Sequence, residues 1–221
     1  MTMAVQSTGH ELVADGLVVR RGGRAVLDTV SLSCAPGQLL GVMGPSGAGK
    51  TTLLSLLAGV MAPGEGVVRY AGEPVRPHDH RHLLRVGYVP QNYGLVAVLT
   101  AAENVDLALQ ARGVHGEAAD QRIAAALAAV GVAPVADRLV GQLSGGQRQR
   151  VAVARALACR ADLVIADEPT SELDGDNRDV VVEALRAQAD AGAAIVVATH
   201  DQEVADRCDR LLHLHDGRLE D

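Results

Sequence analysis

The apolar run LLGVM at 39–43 passes directly into GPSGAGKT at 44–51, and the helix-like TTLLSLLAGV follows from 51. Strand, glycine-rich turn and helix in that order match GxxxxGK[ST] in the context that gives the pattern meaning. Few architectures can place such a loop. Its glycines let backbone N–H groups converge, and the helix N-terminus adds partial positive charge, so the cradle suits a phosphate. A plain glycine-rich turn is the alternative, and the flanking elements count against it. The expected fold is α/β, a P-loop NTPase core around a parallel or mixed sheet.

Lys50 in that loop is the single lysine of the chain, against nineteen arginines. A guanidinium is a rigid planar fork, whereas an ammonium is a compact point charge that fits within a loop and reaches phosphate without displacing backbone donors. The exception has a chemical reason.

The rest of the chain reads as one domain, 1–221, with an insert. Strand-like runs fall at 11–19, 39–43, 66–70, 85–89, 163–167, 194–199 and 210–215. The first third is strand-rich and has Gly/Pro turns at 36–37, 44–45 and 63–64, which predicts an N-terminal antiparallel β element. Over about 91–160 the pattern turns almost wholly helical, as an inserted helical subdomain would. Phe and Trp are absent and Tyr70, Tyr88 and Tyr93 are the only aromatics, so the core must be built of Leu, Val and Ala.

Charge and cysteines narrow the function classes. A net charge of −7 argues against a nucleic-acid partner. Cys34, Cys159 and Cys208 show no metal-ligand spacing and read as reduced thiols. The opening MTMAVQSTGHELVADG has no basic segment ahead of an apolar one, which speaks against a secretory signal. No apolar segment approaches the roughly 18 residues that a membrane span needs.

LVIADE at 163–168 is an apolar strand ending in two carboxylates, the complement that a nucleotide-bound cation and an attacking water need across from a phosphate loop. Asp167 suits the metal and Glu168 the water; a strand followed by an acidic turn is the bland alternative. Ser144 is a good helix N-cap before RQRVAVARALACR, and Gly145 and Gly146 expose N–H groups there, a second anion-binding surface.

In order and spacing, segments 44–51, 143–147 (LSGGQ), 163–168, 171–174 (SELD) and 199–201 (THD), with Gln91 in YVPQN, resemble the ATP-binding cassette (ABC) ATPases over essentially the whole chain. The resemblance implies ATP and Mg2+ as ligands. It assigns the phosphates to Gly44, Pro45, Ser46, Gly47, Ala48, Gly49, Lys50, Thr51 and Thr52. Thr51, Gln91 and Asp167 go to the metal, and Glu168, His200 and Gln91 to catalysis. Ser144, Gly145, Gly146 and Gln147 would bind the ATP held by a second copy, with Asp174 facing the interface, so the resemblance implies a head-to-tail dimer.

Two positions depart from the family. Related ATPases stack adenine on an aromatic residue just before the strand entering the loop; LVVRRGGRAVL has none, leaving Arg21 as the candidate base platform or as a surface arginine. Glu172 stands where a small residue is usual. His78, His80 and His82 with Asp79 could suggest a metal cluster, but a solvated loop ahead of 85–89 is the simpler expectation. His213 and His215 alternate along one strand face, and the helix around 123–130 reads as subdomain core.

ADEPT and LTAAENVDLAL look like the subgroup of lipoprotein-release, macrolide-export and cell-division ATPases. That likeness implies an ATP-hydrolysing subunit on the inner face of the plasma membrane, driving a separate integral permease in export or extraction. The alternatives are a mechanical signalling ATPase of a cell-wall complex, a soluble ABC ATPase, and a nucleotide-binding regulator without turnover.

Overall fold

The structure, a computed structural model, describes residues 10–220. The expectation about a secretory signal falls on the opening segment and lies largely outside the described residues. Among the described residues no helix is long and apolar enough to cross a membrane.

Strands β1 (Leu12–Arg21) and β2 (Arg24–Cys34) form an antiparallel hairpin whose ends, Arg21 and Arg24, are partners. The turn between them is Gly22-Gly23, both with positive φ, the conformation that a two-residue hairpin turn requires. Strand β3 (Leu39–Met43) enters the glycine-rich loop, and α1 (Lys50–Leu57) leaves it. Strands β4 (Glu65–Tyr70) and β5 (Glu73–Pro74) complete a four-stranded antiparallel sheet in the order β2-β1-β4-β5.

A short helix α2 (His80–Leu83) precedes β6 (Val86–Val89). Helices α3 (Ala101–Gln110), α4 (Glu117–Ala129) and α5 (Gly145–Ala158) follow before β7 (Leu163–Asp167). Then come α6 (Gly175–Asp190), β8 (Ala194–Thr199), α7 (Gln202–Ala205), β9 (Arg210–His215) and β10 (Arg218–Glu220). The second sheet runs β10-β9-β3-β8-β7-β6, parallel except for the β10 edge. The α/β class with a mixed sheet and an antiparallel companion is therefore the observed architecture.

The central strands are buried on both faces, which is why they read as unbroken apolar runs. Their side chains alternate between two cores. Leu40, Val42, Ile165 and Val196 face the antiparallel sheet and α1, while Leu39, Val164, Ala166 and Val197 face the helices. Tyr70 is the only aromatic in either buried set, so Leu, Val and Ala do the packing.

Strand β2 was not anticipated, although Val30, Leu32 and Cys34 alternate inward along it. In the segment 78–82 the expectation of a solvated loop holds for His78 and His80, which are exposed, and fails at the short helix α2 and at His82. Asp79 caps α2 by accepting from the Arg81 N–H at 2.9 Å, and His82 is buried edge-on against Tyr70 at 5.9 Å. No group of three or more His, Cys, Asp or Glu among the described residues could hold a metal ion.

Candidate functional site

Met43, Asp167 and Thr199 end their strands at one edge of the parallel sheet, with Met43 paired to Thr199 and Asp167 to Ala198. The carboxyl edge of a parallel sheet is where ligands bind in such folds, and the residues just beyond it are Gly44, Glu168 and His200. One cavity there, about 230 Å³, is lined by Val26, Pro45, Ser46, Gly47, Gly49, Lys50, Thr51, Thr52, Gln91, Asp167 and Glu168.

Close packing forces the glycines. A Cβ on Gly44 would stand 2.1 Å from the Leu214 carbonyl oxygen, and one on Gly49 2.7 Å from the Val26 carbonyl oxygen. Gly49 has φ 107 and no side chain to cap α1, so the first N–H groups of that helix stay directed at the cavity. Lys50 opens the helix. It is buried, and its ammonium donates to the Gly44 carbonyl at 2.7 Å and lies 3.6 Å from Glu168 Oε1.

The two carboxylates differ in environment. Asp167 is 1% exposed, and neither of its oxygens has a hydrogen-bond partner. Burial raises its pKa above the ordinary 3.8, while the neighbouring Thr51 hydroxyl and Lys50 ammonium pull the other way. A buried carboxylate without a partner, beside a threonine hydroxyl, is a donor set that fits a hard divalent cation. Glu168 by contrast is engaged: Oε2 lies 2.8 Å from His200 Nδ1, and its N–H donates to the Ala198 carbonyl at 3.0 Å. Its φ of +52 is a left-handed conformation, costly for a non-glycine residue by about 1–3 kcal/mol and sustained only by surrounding contacts.

Residues 144–147 and 174 lie elsewhere. Ser144 N-caps α5 in a reciprocal box: its Oγ accepts from the Gln147 N–H at 3.2 Å, and Gln147 Oε1 accepts from the Ser144 N–H at 3.1 Å. Gln147 thus has a local partner that the sequence reading did not give it. Asp174 N-caps α6, accepting from the Asn177 N–H at 3.0 Å, and that bond holds its carboxyl below the ordinary range. None of these residues lines the cavity, nor does Gly44, Ala48, His200 or Arg21. Arg21 is exposed at the end of β1, whereas Val26 on β2 does line the cavity and was missed.

Gln149 was also missed. It is 3% exposed on α5, and its side chain spans to the turn after Asp167. Nearby, Glu172 Oε1 accepts from the Tyr93 hydroxyl at 2.5 Å, and the other carboxylate oxygen packs against Gly145, where a Cβ would stand only 1.6 Å from it.

A phosphate loop facing an acid-tipped strand defines a P-loop nucleotide-binding protein. The chain belongs to the ABC transporter ATP-binding family, whose model matches residues 27–171. It is 41% identical over 208 residues to the lipoprotein-releasing system ATP-binding protein LolD of Maricaulis maris, covering 91% of each chain. It is 42% identical over 200 residues to an ABC transporter ATP-binding protein of Mycobacterium tuberculosis, and spans 61% of that relative's length. Among solved structures, a dimeric post-hydrolysis state of an ATP-binding cassette bound to ADP and Pi superposes with a TM-score of 0.87 at 32% identity, over 95% of this chain and 97% of that one.

Proposed function

We propose that the chain is the ATP-binding and ATP-hydrolysing subunit of an ABC transporter, and that ATP-driven closure of a head-to-tail dimer powers a separate membrane permease of export or extraction type. The observation that carries this reading is the split of the site. Lys50, Asp167 and Glu168 share one cavity, while Ser144 to Gln147 present their capped helix end outside it, so a second copy must bring the two halves together.

In this reading the N–H groups at the start of α1 and the Lys50 ammonium hold the β and γ phosphates, and Thr52 and Ser46 line the same wall. Asp167, Thr51 and Gln91 would hold Mg2+, which supplies charge neutralisation to the phosphates when bound. Glu168 orients and polarises the attacking water, and His200, bonded to Glu168, faces the γ-phosphate. The signature end of α5 offers N–H groups to the ATP of the other subunit. Closure does work because ATP binds the closed pair better than the open one.

The segment 91–160 acts as the subdomain that transmits this motion. The permease contact is placed on this subdomain, which carries a cleft between β6, α3 and α5 lined by Tyr88, Leu107, Arg112 and Cys159. The lipoprotein-release relative supports the export reading and a place on the inner face of the plasma membrane. Glu168→Gln tests hydrolysis directly. The variant is expected to bind ATP and lose turnover by about 100-fold or more; hydrolysis at the parental rate overturns the role of Glu168.

A further inference from the structure

Resting on that reading, we propose that Gln149 is a positioning residue for Glu168 and links the two composite sites of a dimer. Its side-chain amide closes both ends of one turn. Nε2 donates to the Glu168 carbonyl and, at 3.2 Å, to Ser171 Oγ, while Oε1 accepts the Glu172 N–H at 2.8 Å. The group is buried and its polar atoms are matched, so it cannot be exchanged for water without reordering the turn.

Glu168 needs such a hold. Its φ is +52, its own N–H is fixed to β8 through Ala198, and its carbonyl is fixed to α5 through Gln149, with a longer bond from the Ser171 N–H at 3.3 Å. With the peptide groups on both sides anchored, the Cα–Cβ direction is fixed. The carboxylate then stands 2.8 Å from His200 Nδ1 and 3.6 Å from Lys50 Nζ.

Gln149 lies one turn beyond the Ser144 cap on the same helix. The front of α5 serves the ATP of the other subunit, whereas Glu168 acts on the ATP of its own. A shift of α5 as one site closes therefore reaches, through a single amide, the carboxylate of the other. Rigid elements joined by a buried hydrogen-bond bridge can carry such coupling, and double-sided anchoring gives Glu168 two discrete neighbours to follow.

The test uses the full chain with Gln149→Met, which keeps length and removes the amide, and Gln149→Asn, which keeps the amide and falls one methylene short. Steady-state ATPase against ATP concentration, binding of a fluorescent ATP analogue, and thermal melting are read for both. A tenfold or greater loss of kcat, with KM and analogue affinity within twofold of the parent and a cooperative melt retained, supports the proposal. The cooperative dependence of rate on ATP should weaken in parallel. A kcat within twofold of the parent overturns it, as does an equal loss of nucleotide affinity, or loss of the cooperative melt in both variants, which would make Gln149 a residue of the fold alone. A parent chain that binds ATP without turnover would instead overturn the proposed function, and this inference with it.

Discussion

Asp167→Asn should make the ligand-free protein more stable while removing the Mg2+ binding proposed for that carboxylate. The carboxylate is 1% exposed, has no hydrogen-bond partner on either oxygen, and is held above its ordinary pKa of 3.8 first by burial. An ion in that position costs several kcal/mol after relaxation, whereas an unsatisfied neutral polar group costs about 1–3 kcal/mol. Lys50 offsets part of the ionic cost, which leaves a net gain of about 2 kcal/mol for the amide. For a chain of this size that corresponds to a melting temperature about 4–8 °C higher.

The sign with pH follows from the raised pKa. Between 3.8 and the native value the folded protein holds a proton that the unfolded chain has lost, so parental stability falls as pH rises through that window. The advantage of the variant is then full above the raised native pKa and is gone below 3.8, where the parental carboxyl is protonated in both the folded and the unfolded state. Thermal melts in chelator at several pH values measure it. Adding Mg2+ and ATP should reverse the order, because only the parent gains the cation. A variant that melts below the parent in chelator at neutral pH refutes the picture of Asp167 as a charge whose burial outweighs the compensation from Lys50 and Thr51.

Lys50→Arg keeps the charge but must fit a planar fork where an ammonium donates to the Gly44 carbonyl at 2.7 Å; ATPase activity should fall about 100-fold, and near-normal turnover would show that point-charge geometry is not why lysine stands there. Gly44→Ala meets the Leu214 backbone oxygen and should destabilise the fold by about 2 kcal/mol or more. Gly47→Ala meets nothing within 4 Å, so only its positive φ of 84 opposes it, and about 1 kcal/mol separates it from the parent in denaturant titration. Burial pushes the Cys34 thiol up to about 12 and Cys208 up to about 11, so iodoacetamide at pH ~8 should label neither until the chain unfolds, as intact-mass measurement would show.

The features legible in the sequence were those whose chemistry is local. The loop at 44–51 declares itself because strand, glycines and helix are contiguous, and LVIADE because burial on both faces demands an unbroken apolar run before its acids. Ser144 could be read as a cap from its own neighbours. Strand β2 was missed because its outer half, Arg24 to Asp28, breaks the apolar/polar alternation, although Gly22-Gly23 is a hairpin signal. His82 looked solvated since nothing in its segment shows that Tyr70 and Gly59 will close over it. Gln149 carries no sequence signal at all: one more polar residue in RQRVAVAR, it becomes a bridge only when the turn at 168–172 is folded against it.

The isolation of Lys50 also gives the chain a built-in clock. A lysine-specific endoprotease has one bond to cut in all 221 residues, and that bond lies at the first residue of α1, inside the loop, where the residue is 8% exposed. Cleavage then waits on an opening, local or global, that exposes the phosphate loop and the start of α1. Under native conditions, with reclosing faster than cleavage, the rate at which two fragments appear follows the fraction of molecules whose loop is open, and a bound nucleotide should lower that rate as its occupancy rises.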